Sequence, residues 1–111
     1  MAFIDRFLVP LVSGEGSDLH LCAGRTPYIR VHGTLAPIAG EPALSSQQVF
    51  DLVKEIMPEE NIGQLEHEWD TDCAYEIPGT ARFRVNGYRD MCGWSASLRV
   101  IPERIPTFED L

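Results

Sequence analysis

Polar and apolar positions alternate most regularly late in the chain. Ala81, Phe83 and Val85 are separated by Arg82, Arg84 and Asn86, the period of a half-buried strand. Ala96, Leu98 and Val100 repeat that period with Arg99 on the other face, and 89–93 between the two runs reads as a hairpin loop. Near the start, Ile4, Phe7, Leu8, Leu11 and Val12 recur at helical spacing. Pro10 falls inside that pattern, and its missing N–H and ring clash predict a kink or an end there. Residues 18–23 and 28–32 read as strands, with a tight turn at Gly33 leading to 35–38, which Pro37 restricts to a sheet edge. Ser45 with Gln48 forms a capping-box pair opening a helix whose buried stripe is Val49, Leu52, Val53 and Ile56. Pro58 stops that helix and suits the first position of another, along which Ile62, Leu65 and Trp69 continue an amphipathic pattern. Residues 72–77 are strand-like, and Pro78 with Gly79 turns the chain into the arginine-bearing hairpin.

The order is helix, two or three strands, two helices, three strands. Segregated elements joined by short turns predict an α+β domain with helices packed on a mostly antiparallel sheet, and 111 residues suffice for one such domain, 1–111, but not two. Burial then fixes a register. Phe83 and Val85 must share a face with Leu98 and Val100, since a one-residue slip would turn every side chain over. Arg84 and Arg99 are thereby placed together on the opposite face, directly across or one diagonal apart. Facing like charges are destabilising. An anion over both would remove the repulsion, and the guanidinium fork suits phosphate oxygens. The alternative is that each arginine pairs with a carboxylate on a neighbouring element.

Composition narrows the function classes. The hydrophobic fraction is 44% and the charged fraction 23%, ordinary for a globular chain. No apolar run approaches a membrane span, and the first residues carry no secretory pattern. A net charge of −8 argues against nucleic-acid partners. Charge is unevenly spread: nine acids face the single base Lys54 between 51 and 76, whereas Arg82, Arg84, Arg89, Arg99 and Arg104 outnumber Asp90 and Glu103 after them. Such a split suits a surface that meets other surfaces, or two solvated faces of one domain. Three widely spaced cysteines, Cys22, Cys73 and Cys92, read as free thiols of a reducing compartment, hence the cytoplasm.

His20 and Cys22 share one strand face and could form half of a zinc site. Closing it would take two ligands from Cys73, Cys92, His32 or His67 at no motif spacing, so no metal site is expected. Nothing local pairs a cysteine or serine with a base, and no phosphate-loop or dinucleotide fingerprint occurs. No catalytic residue is expected in the chain, and a nucleotide touching the arginines would have to be held by another segment or subunit.

The sequences SDLHL at 17–21, PYIRVHG at 27–33, ARFRVN at 81–86, LRVIP at 98–102 and IPTFEDL at 105–111 resemble the N-terminal domain of type IV pilus retraction ATPases, PilT-like members of the secretion ATPase superfamily. Cys92 stands where many members carry Arg, and His32 where they often carry Asp. The resemblance implies a PAS-like α+β domain preceding a RecA-like ATPase domain in a homohexameric motor, cytoplasmic and peripheral to the bacterial inner membrane, with a platform protein there as partner. It further implies that ATP and Mg2+ are held in the full-length protein and not by this domain alone. By motif match, Arg84 and Arg99 would reach the terminal phosphates, with Arg82 and Arg89 as further candidates. The alternatives are a PAS-like sensor or interaction module, and the same domain of a pilus-assembly or type II secretion ATPase.

Overall fold

The computed structural model describes residues 2–101; Arg104, Pro102 and the 105–111 sequence used above lie outside the described residues. Three helices and six strands follow one another as α1 (Asp5–Ser13), β1 (Gly16–Cys22), β2 (Tyr28–Val31), β3 (Thr34–Pro37), α2 (Ser46–Lys54), α3 (Glu59–Glu68), β4 (Asp70–Ile77), β5 (Ala81–Asp90) and β6 (Gly93–Ile101). All strand pairings are antiparallel, in the order β3-β2-β1-β6-β5-β4. The first and last hairpins therefore meet through β1 and β6 at the centre, with the helical segment inserted between them. This is the expected α+β, PAS-like arrangement.

One face of the sheet carries the helices. α1 lies on β1, α2 on β6 and α3 on β4. Leu19, Leu21, Phe83, Val85, Ala96 and Leu98 have no exposure and form one cluster with Ile4, Phe7, Leu8 and Leu11 of the first helical segment and Val49, Leu52 and Val53 of α2. This contiguous apolar set supplies the main driving force for folding. Gly87 follows the same parity, and a Cβ there would press on Met57 and Leu65, so glycine lets α3 come close to β5. Tyr75 of β4 donates from its hydroxyl to the buried carboxylate of Asp5 at 2.7 Å, tying α1 to the far edge of the sheet.

Local chemistry sets most of the boundaries. Ser45 Oγ accepts from the Gln48 N–H at 3.1 Å, and the Ser45 N–H donates to Gln48 Oε1 at 2.8 Å, so the capping box is complete. His32 and Gly33 both have positive φ, 50° and 80°, as a two-residue hairpin turn between β2 and β3 requires. β3 is an edge strand, as Pro37 predicted.

Strand ends shift by one or two residues from expectation, and four larger differences stand out. α1 runs through Pro10 to Ser13, because Leu11 is buried beyond it and the Gly14 N–H closes the last turn on the Pro10 carbonyl. Pro58 is the cap before α3 rather than its first residue. Trp69 leaves the helical stripe: it caps α3 in the left-handed conformation, φ 63°, with its indole largely exposed. The loop expected over 89–93 shrinks to Met91 and Cys92, since both strands continue to Asp90 and Gly93. None of the described helices is long and apolar enough to cross a membrane.

Candidate functional site

The open face of the sheet is built by the second parity of each strand. Arg84 lies directly opposite Arg99, Arg99 opposite Asp18, and Asp18 opposite Arg30, so one line of residues crosses four strands. The neighbouring line runs Asp72, Asn86, Ser97, His20 and Tyr28. None of the described helices covers these positions. The Arg84 and Arg99 side chains are 68% and 73% exposed. With Asp18, His20, Asp72, Asn86 and Ser97 they line a cleft of about 430 Å³.

The register argument for Arg84 and Arg99 is met as the direct pairing. The step from repulsion to an anion is not, because carboxylates already offset the charge. Arg84 donates from Nε and Nη2 to the two oxygens of Asp72, at 3.3 and 3.0 Å. These hydrogen bonds and the Asp72 charge raise the Arg84 pKa above its usual value. Arg99 makes a single, longer contact, Nε to Asp18 Oδ2 at 3.5 Å. The two acids differ in kind. Asp72 is half-exposed on an edge strand, whereas the Asp18 side chain is 11% exposed between Arg99 and Arg30. Asp18 is thus a fixed counter-charge, and Asp72 a loosely seated one.

The other candidates separate. Arg82 lies on the open face one pair further along, opposite Glu76 and Ile101. Arg89 does not join them. Its odd parity places it on the helix side, where its guanidinium sits 5.2 Å from the Trp69 ring and 5.0 Å from the Trp94 ring. The left-handed cap at Trp69 is what brings that indole round to it. His20 and Cys22 share the open face as expected. His20 stacks on Tyr28, ring centroids 4.9 Å apart, and Cys22 Sγ lies 3.9 Å from the Tyr28 hydroxyl. Burial lowers the His20 pKa, Arg30 and Arg99 push the same way, and Asp18 opposes. Among the described residues no three His, Cys, Asp or Glu side chains gather as a metal site. Asp18 and Asp72 were missed as site residues by sequence reasoning, and His20, weighed only as a metal ligand, lines the arginine cleft instead. Counting back from the Pro78-Gly79 turn would have found Asp72, since it pairs with Asn86 beside Arg84.

No family model matches the chain. It is 42% identical over 95 residues to the type IV pilus retraction ATPase PilT of Pseudomonas aeruginosa, a match covering 86% of this chain and 27% of that protein. Identity to a twitching motility protein of Neisseria gonorrhoeae is 34% over 86 residues, covering 78% of this chain and 23% of that one. Among solved structures, the pilus retraction motor PilT with bound ADP superposes with a TM-score of 0.86 at 25% identity, covering all of this chain and 32% of its own. The chain thus spans about a quarter of the length of the curated relatives it matches.

Proposed function

Because the chain belongs to the PilT-like family of type IV pilus ATPases, as a homologue of their N-terminal domain, we propose that it serves a hexameric ATP-driven motor for pilus retraction and twitching motility. In this reading a RecA-like domain elsewhere in the full-length protein holds ATP and Mg2+. The open sheet face closes on the nucleotide, and neighbouring subunits and an inner-membrane platform protein are its macromolecular partners. The supporting observation is the direct pairing of Arg84 and Arg99, both with exposed side chains, on the face that none of the described helices covers.

Phosphoryl transfer needs positive charge placed against the terminal phosphate, and an arginine supplied by a second domain contributes by electrostatics alone. Two guanidiniums on adjacent strands give that charge a rigid base. Their engagement also couples domain closure to the presence of the phosphate, a way for the motor to sense its nucleotide state. Arg82, on the same face, extends the basic strip. Arg89 contributes to holding the hairpin instead.

The test is ATP turnover by the full-length protein carrying Arg84→Ala or Arg99→Ala. An arginine acting on the transferred phosphate accounts for about 10³-fold or more in kcat, so each variant is expected to lose at least about tenfold. Turnover at the parental rate in both variants would overturn the reading. The 111-residue chain by itself is expected to hydrolyse no ATP.

A further inference from the structure

We infer that Asp72 is a built-in competitor for the nucleotide's phosphate, a carboxylate that occupies the binding edge of Arg84 until a more highly charged anion displaces it. The inference rests on the proposed phosphate role of Arg84.

Four observations carry it. Asp72 takes the Nε–Nη2 edge of Arg84 with both oxygens, the fork that would grip two phosphate oxygens. A phosphate therefore cannot engage that edge while Asp72 holds it. The pair is exposed on both sides, 68% for Arg84 and 49% for Asp72, so solvent screening keeps it weak and reversible. Asp72 lies on the edge strand β4 and lines the same cleft as Arg84 and Arg99. Its fold-supporting contact uses the main chain, since the Asp72 carbonyl accepts from Asn61 Nδ2 at 3.0 Å. The carboxylate can let go of Arg84 without loosening α3.

Asp18 is the contrasting case. It contacts Arg99 through one nitrogen, is shielded from solvent, and has Arg30 on its other side. An incoming phosphate meets the rest of the Arg99 fork open. The two arginines thus differ in readiness: Arg99 gives up one nitrogen to a long contact, and the whole Nε–Nη2 edge of Arg84 has to be released. The consequence is a threshold. A singly charged anion gains little by replacing a carboxylate, whereas a triphosphate, which carries more charge, gains by replacing it.

The experiment measures binding of a non-hydrolysable ATP analogue, with Mg2+, to the full-length protein. Asp72→Asn keeps the shape and the main-chain contact and removes the charge. It is expected to tighten apparent binding about two- to fivefold, the range of one exposed ion pair. In an Arg84→Ala background the same substitution is expected to change nothing, because the competitor then has nothing to compete for. If Asp72→Asn leaves binding unchanged or weakens it while Arg84→Ala weakens it, the competitor role is overturned and the phosphate role of Arg84 stands. If Arg84→Ala alters neither binding nor turnover, the phosphate role falls and the competitor role falls with it.

Discussion

Arg84 and Arg89 stand on one strand, five residues apart, and do unrelated things. Arg84 has even parity, faces the open side of the sheet beside Arg99, and pairs with the half-exposed Asp72. Arg89 has odd parity, points to the helix side and lies between two indoles. The same side chain is a replaceable charge in one place and a hairpin clamp in the other. What separates them is the two-residue period of the strand and what lies over each face. An arginine's presence in a basic segment therefore says little until its parity is counted.

The most drastic way to break this comparison is to remove the residue that sets it. Phe83 has no exposure and stands beside Arg84 in the alternation. Phe83→Ala is expected to destabilise the domain by about 3–5 kcal/mol, the cost of a large core cavity, read as a lower urea midpoint at unchanged slope. A cost near 1 kcal/mol would mean that the core does not lock the register as argued.

A sharper version exchanges the two arginines' roles. Arg89→Ala removes both indole contacts and is expected to cost about 1 kcal/mol of stability. ATP turnover by the full-length protein should remain near parental. Arg84→Ala is expected to do the opposite, leaving the unfolding midpoint where it was and lowering turnover. Measuring both quantities on both variants gives a two-by-two result. The comparison fails if the two substitutions act alike.

Much of this is legible in the order of the residues. The shared face of Arg84 and Arg99 followed from burial and parity, the capping box from two side chains at the right spacing, and the edge position of β3 from Pro37. These are properties of neighbours in sequence or of a single hairpin. Asp18 was not found, because it reaches Arg99 across a pairing 81 positions apart in sequence and no local pattern reports it, whereas Asp72 sits within one hairpin of Arg84 and was there to be counted. Trp69 was misplaced for a different reason. Its helical spacing was real, but a left-handed cap overrode it, and that conformation is rare enough for an aromatic residue that spacing could not announce it. Pro10 was read as a kink or an end, and it does not end the helix, which runs on to Ser13 with Leu11 buried beyond the proline.

The smallest expected effect lies on the open face itself and separates Arg84 from its cross-strand partner. His20 is partly covered by the Tyr28 ring, and its pKa is lowered first by burial, then by Arg30 and Arg99, against Asp18. A lowered value means that the folded chain binds fewer protons than the unfolded chain once the pH falls to about 6.5. The contribution to stability is present above that pH and is lost as pH drops through the lower folded value. The urea midpoint should therefore fall between about pH 7.5 and 5.5, and His20→Gln should flatten part of that slope. Arg99→Ala should flatten it too, because losing that neighbour lets the imidazole accept a proton more readily in the folded state. Arg84→Ala should leave it unchanged, since Arg84 is not among the charges that move His20. Equal pH slopes for the two arginine variants would show that the line of residues crossing the sheet is electrically less local than its hydrogen bonds imply.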